Sequence, residues 1–479
     1  MTASVKRNVV PYGAAVAVSL AAFLLDRHGM NAAAGGLLLI LAAGLGIWFY
    51  RKDKSLVSFR LLLSVFWIGG EGLAAFRLSC FHTSWTAMSW LSFSLFYLVW
   101  LAAYDLTGSV LAKRNQGAEE EAERENADSA ASVRRVSFRP HTAEQEKNHL
   151  FMAVWILTAV SWAAFLFEAV YLGYIPLFST EPHAYSYFHI SGVHYVTVSC
   201  TMVPALAVLY WLQYGKPKGA RFAVLGICCA LSLLIPVLCV SKFIFIFAIG
   251  IPVILVLLSI PEIPGWIIGA GLGAVAVLFA AIIVLMTAGR HYEPGFLDSV
   301  FEIHRDSIPV MLQYVYMYIA NNYANFNELT IAVSAGRVPY LYGLRQLFPL
   351  FALTGLKFVF PSLVSYEVPV TKDILNTLTI IYDAFYDFGL PGVIGFAAIL
   401  GAVCAAVTSG TKKRRKNPAV SLLYAQLAIY LALSFFSAWF SLATTWFWLA
   451  GTALLGLFTV CPKQTRNDLS TRKNTGEKR

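Results

Sequence analysis

The sequence predicts an all-α polytopic membrane protein of about twelve transmembrane helices. Three observations lead there. Hydrophobic residues make up 58% of the 479 and charged residues only 13%, with a mean hydropathy of +0.65; soluble domains carry about 45–50% and about 25%. Runs of about twenty apolar residues recur along the chain, the length that crosses a hydrocarbon core as a helix. Lys and Arg concentrate in alternate connections, the asymmetry that orients membrane helices. A β-barrel would instead alternate apolar and polar residues over segments of about ten.

The spans centre near Val16, Leu41, Ile68, Phe96, Ala159, Val203, Ala230, Ile251, Val275, Ile394, Ile429 and Ala450. The first, VVPYGAAVAVSLAAFLL, follows Lys6 and Arg7 and ends without a clear small-residue cleavage site, so it reads as a span and not a cleaved signal. With the N-terminus inside, the inner segments hold RKDK at 51–54, the charged loop after Tyr104, KPKGAR at 216–221, KKRRK at 412–416 and the tail from Lys463. The outer side keeps Arg27, Arg77, Lys242 and the cations of one long loop, and both termini are cytoplasmic. The net charge of +10 then reflects basic cytoplasmic loops, and no nucleic-acid partner is expected.

Residues 107–148 are polar, mixed in charge and poor in aromatics, and cannot bury enough apolar surface to offset their ordering entropy. They are expected to form a mobile cytoplasmic linker between a four-span region (1–106) and an eight-span region (149–462), with a basic tail at 463–479. The seven cysteines lie in or beside apolar spans without framework or zinc-like spacing. No Walker loop or dinucleotide glycine pattern is present, so neither a metal nor a cofactor is expected. No internal repeat is evident, which weighs against a transporter.

The longest outward-facing stretch runs from Thr287 to Asn376 and carries Arg290, Arg305, Arg337, Arg345, Lys357 and Lys372. Arginine forks suit bidentate contact with phosphate oxygens. Arg290 follows the ninth span directly, at headgroup depth, and Arg345 sits in a turn broken by Gly336, Pro339, Gly343 and Pro349. The stretch is therefore expected to hold an anionic, lipid-linked substrate. Lys242 stands alone between two spans, where it either snorkels or touches the same anion.

Asp383 and Asp387, four apart on one helix face, are candidates to take a proton from an acceptor hydroxyl or to pair structurally with the arginines. His291 and His304 are alternative bases. Glu71 and Glu168 are intramembrane acids, each a functional candidate by default. The cation-free loop GYIPLFSTEPHAYSYFHISGVHY, 173–195, reads as an interfacial aromatic belt or as a sugar-binding lip that includes Tyr187. The stretch Pro309–Val333 mixes tyrosines with amides, among them Asn322 and Tyr323, as an amphipathic or re-entrant helix lining a wet cavity would.

These features together resemble the oligosaccharide repeat unit polymerases, the Wzy-type O-antigen and capsule polymerases of bacteria. The resemblance rests on the span count, GYIPLFS before an aromatic outer loop, TAGR opening the large outer loop, IANNYANFN, and YDFGLPGVIG at the start of a late span. It covers the chain from about Phe59 to Phe458, apart from the linker. It implies a GT-C-like arrangement and an inverting, metal-independent transfer at the outer face of the cytoplasmic membrane. The substrate would be an oligosaccharide on undecaprenyl pyrophosphate, with a chain-length regulator as a possible partner. The essential arginines of that family would map to Arg290 and to Arg337 or Arg345. The similar O-antigen ligases and the polysaccharide flippases are the alternatives.

Overall fold

The computed structural model describes residues 9–128, 138–140, 143–181, 184–260, 295–304, 308–411, 417–458 and 460–462. The ninth expected span, Arg290, His291, Arg305, the KKRRK run and the tail lie outside the described residues. The chain runs α1 (Val9–Arg27), α2 (Asn31–Asp53), α3 (Phe59–Leu63, a π turn Ser64–Ile68, then Gly69–Ala75), α4 (Ala87–Asp128), α5 (Ala143–Leu172) and α6 (Val193–Tyr214). There follow α7 (Ala220–Leu238), α8 (Lys242–Ser259), α9 (Val310–Ser334), α10 (Tyr382–Thr411), α11 (Pro418–Ala432) and α12 (Ala443–Phe458). Among the described residues eight helices are long and apolar enough to cross a membrane, namely all of these except α3, α9, α11 and α12. The chain is thus an all-helical membrane protein. Among the described residues a short strand pairing sets Phe138–Pro140 antiparallel to Val460–Pro462, joining the chain before α5 to the chain after α12. The expectation of a mobile linker from Thr107 needs correction in its first part, because α4 continues as helix to Asp128.

Two groups of buried charges fix how the N-terminal helices stand. At one end Arg77 pairs with Asp26 at 2.5 Å, and the Trp90 indole donates to the same carboxylate at 3.1 Å. At the other end Arg60 is held between Asp53 and Asp105, and the Tyr12 hydroxyl donates to Asp105 at 3.3 Å. Tyr12 and Asp26 both belong to α1, about 21 Å apart by helical rise. The two groups therefore cap opposite ends of the same bundle. Buried charges persist only when paired in this way.

Against this frame α10 packs parallel to α4. Phe96 stacks on Phe396 at 6.3 Å, and the Tyr104 hydroxyl donates to Thr408 at 3.1 Å. Gly401 permits the approach: a Cβ there would lie 2.4 Å from the Trp100 carbonyl oxygen. The start of α10 consequently shares the Asp26–Arg77 end of the bundle.

Helix α9 corrects a second expectation. Its amides line no wet cavity. Asn321, Asn322, Asn325 and Asn327 are at most 1% exposed. Asn325 donates to the Leu375 and Thr377 carbonyls at 2.6 and 2.8 Å and accepts from the Thr371 amide at 2.8 Å. Asn322 donates to the Tyr318 carbonyl and accepts from the Thr377 hydroxyl. Asn327 accepts from the Thr86 amide at 2.8 Å and from Ser89. The amides fasten two loops, around 83–86 and 371–377, to a buried helix, because a buried backbone donor or acceptor must find a partner. Tyr323 lies among Trp67, Trp85 and Phe93, its hydroxyl donating to the Trp67 carbonyl at 2.7 Å.

A glycine break sets the geometry near the start of α10. Gly389 breaks the helix with φ 62 and ψ −146, a backbone state open essentially to glycine alone, and Pro391 follows where a helical N–H would be missing. A Cβ at Gly389 would also meet the Tyr340 hydroxyl at 2.8 Å. Gly389→Ala is expected to cost about 1–3 kcal/mol from backbone strain alone. A lowered thermal midpoint, not restored by Tyr340→Phe, is the expected result.

A buried histidine, His82, sits in the loop between α3 and α4. Its Nδ1 lies 3.3 Å from the Tyr316 hydroxyl of α9, which also accepts from the Leu78 amide at 2.9 Å. Burial, reinforced by the nearby positive charge of Arg77, pushes the imidazole down to about 4 from its ordinary 6.5. The unfolded chain therefore takes up this proton before the folded one does. Stability is complete above pH 6.5 and declines as pH falls from there toward 4. At pH 5 the loss is about 2 kcal/mol. Unfolding of wild type and His82→Asn at pH 7 and pH 5 should show a shallower decline in the variant.

Candidate functional site

The site is assembled from three segments that meet at the start of α10. The loop after α9 cannot continue as helix, since Gly336 and Gly343 both have positive φ. It turns back along α10 instead. The Leu341 and Tyr342 amides donate to the Tyr386 and Asp387 carbonyls, each at 3.1 Å. The Asp387 carboxylate then receives the Arg345 amide at 3.1 Å and the Gln346 amide at 2.8 Å. Both Asp387 oxygens are thereby occupied and the residue is fully buried, so it anchors the loop, the structural one of the two roles the sequence leaves open for it.

So anchored, Arg345 reaches back one turn to Asp383. Its Nε and Nη2 both lie 2.5 Å from Asp383 Oδ1, and its guanidinium sits over the Tyr366 ring at 5.1 Å. The third segment is held by the same helix: the Tyr382 and Tyr386 hydroxyls donate to the Pro369 and Glu367 carbonyls at 2.5 and 2.7 Å. Burial works against the charge on Arg345, but Asp383 and Tyr366 outweigh it and hold the guanidinium above its ordinary range. Burial likewise pushes the Tyr366 phenol up, although Arg345 pulls the other way. The Arg345 side chain remains 14% exposed, against 3% for Asp383. Tyr342 is wide open to solvent on the same loop, and Tyr340 is partly so. The arrangement offers a fixed, permanently charged five-donor fork beside a carboxylate, rimmed by aromatic rings.

The other expected residues fall elsewhere. Lys242 is buried, donating to the Tyr314 hydroxyl at 2.6 Å and lying 4.3 Å from that ring's centre, with Tyr318 behind. Arg337 pairs with Glu328 on the surface at 2.7 Å. His304 lies 3.6 Å from the Cys80 sulfur in a clip between 78–80 and 302–304. Tyr187 is exposed on the aromatic loop, which Lys357 ties to the segment between α9 and α10 through Ser191 at 3.4 Å. Glu168 accepts from the Ile190 amide at 2.9 Å and the Thr197 hydroxyl at 2.7 Å, which makes it a fastening for that loop's return. Asn322 and Tyr323 are enclosed, as described above, and present nothing to a ligand. Of the residues named from sequence, the structure brings together Arg345, Asp383 and Asp387. Tyr366 was missed, and no spacing rule connects it to Arg345. Among the described residues no cluster of His, Cys, Asp and Glu could hold a metal ion.

No protein-family model matches the chain, and neither a curated protein nor a solved structure does.

Proposed function

We propose that the chain is a membrane glycosyltransferase that joins undecaprenyl-pyrophosphate-linked oligosaccharide repeat units at the outer face of the bacterial cytoplasmic membrane. In this reading it has about twelve spans, both termini are cytoplasmic, and the start of α10 faces outward. The observation that carries the reading is the Arg345–Asp383 pair, held under an interrupted loop where a membrane-spanning helix begins. As the glycosidic bond to the lipid pyrophosphate breaks, its electron pair passes to the leaving phosphate oxygen. A preorganised guanidinium in a poorly solvated cleft stabilises that growing charge without a metal. The acceptor hydroxyl attacks the anomeric carbon from the opposite side and gives its proton to a carboxylate or histidine, with Asp383 and His291 as the candidates. Arg290 and Arg305 belong to the same outer stretch of the sequence and would share the pyrophosphate. The exposed tyrosines Tyr342 and Tyr187 offer faces on which pyranose rings stack.

Purified full-length protein mixed with a single lipid-linked repeat unit tests the proposal. A ladder of glycans on the lipid is expected from that substrate alone. Transfer only after a different acceptor is added would make the chain a ligase. Movement of the substrate across proteoliposomes without bond formation would make it a flippase. Cysteine labelling of position 345 from the cytoplasmic side only would end the proposal.

A further inference from the structure

A cavity of about 630 Å3 opens at the end of the bundle opposite Arg345. Its walls are the last turns of α2, α6, α8 and α10 and the first turns of α3 and α11. Thr408, which lines it, and Asp383 lie toward opposite ends of α10, roughly 35 Å apart by helical rise. The cavity is therefore separate from the site described above, and the inference drawn from it does not depend on the proposed reaction.

The lining changes character with depth. Lys52, Arg60, Gln213, Ser259 and Ser421 sit at the helix ends. Leu209 and Leu255 lie a turn deeper in α6 and α8, while Leu212 and Leu258 stand level with Gln213 and Ser259. Arg60 is held rigidly: Nε donates to Asp53 at 3.1 Å, Nη2 pairs with the same carboxylate, and Nη1 donates to Asp105 at 2.9 Å. The rings of Phe49 and Tyr104 lie 5.4 and 5.3 Å from its central carbon. Asp53, which also lines the cavity, is thus already matched by a cation. Ser55 and Ser58 accept the Val57 and Leu61 amides, so their hydroxyl protons are directed away from those bonds.

We propose that this cavity binds the phosphodiester headgroup of a bilayer phospholipid, with the upper part of an acyl chain against Leu209, Leu212, Leu255 and Leu258. A polar mouth at the helix ends above an apolar wall matches the order in which a leaflet presents a phospholipid. Lysine, arginine and serine donors suit phosphate oxygens. A free phosphate would leave the leucines wet, and a neutral diacylglycerol would bring no anionic oxygen to the Lys52 and Arg60 side of the mouth. The volume lies within the roughly 300–1,000 Å3 typical of small-molecule sites.

Native mass spectrometry of the full-length chain in mild detergent tests this. The chain is titrated with dioleoyl phosphatidylglycerol, dioleoyl phosphatidylethanolamine, dioleoylglycerol and glycerol 3-phosphate. One phospholipid per chain is expected to be retained, either as both phosphatidyl lipids or as one of them. Lys52→Gln at a helix end and Leu212→Trp, which fills the cavity from a half-exposed wall, should each weaken retention about tenfold. Size-exclusion profiles show which variant is folded, and one folded variant decides the point. Equal retention of dioleoylglycerol would overturn recognition of the phosphate. Equal retention of glycerol 3-phosphate would overturn the acyl wall, and wild-type retention in the folded variants would overturn the location.

Discussion

Arg345→Ala is expected to lower the rate of ladder formation about 10²–10³-fold, the loss that follows removal of one preorganised donor to a developing anion. The physical reason is the fixity of the group. Asp383 takes two of its N–H directions, Tyr366 covers one face, and the loop beneath is stitched to α10 through Asp387. Little reorganisation is left for the moment of bond breaking. Arg345→Lys keeps the charge but not the fork and should recover only part of the rate. Membrane abundance of each variant, measured on the same samples, separates chemistry from folding. A wild-type ladder from Arg345→Ala would remove this arginine from the mechanism.

The second large effect is on stability. Asp383→Ala leaves a mostly buried guanidinium without its counter-charge, and breaking such a pair from one side costs about 3–5 kcal/mol. Removing both partners abolishes the stranded charge, so the double variant Arg345→Ala/Asp383→Ala should be more stable than Asp383→Ala alone. Thermal unfolding in detergent reads the difference. The double variant is expected to stay inactive while regaining stability, an outcome that a merely structural pair would not give. If the double variant is as unstable as the sum of the singles, the two residues are not coupled as their geometry requires.

Much of this architecture is legible in the sequence because hydrophobic length is a strong signal. The spans around Val16, Leu41, Phe96 and Ile394 appear as long apolar helices, and the break around Gly336–Pro349 appears as a turn-rich loop. The four-residue spacing of Asp383 and Asp387 correctly sets both at the start of α10. What the spacing cannot tell is that their partners differ, one a side chain and the other two backbone amides. The amides of α9 show the same limit. An asparagine that faces water and one that faces the carbonyl of a loop some fifty residues away have the same local sequence. Only the fold reveals that Asn321 and Asn325 bind Thr371 and Leu375. Tyr366 meets Arg345 because Tyr382 and Tyr386 pin the chain at Pro369 and Glu367, a chain of contacts that no period encodes.

The paired charges at Asp26–Arg77 and at Asp53–Arg60–Asp105 also bear on how the molecule can move. A piston-like slide of α3 by one turn, about 5.4 Å, would pull both clusters apart at once, because Arg60 lies in its first turn and Arg77 just beyond its last. Each stripped charge would then stand alone in a poorly hydrated interior. The N-terminal helices therefore behave as a stator, and any stroke that admits or expels a long ligand falls to parts of the chain that carry no such double lock.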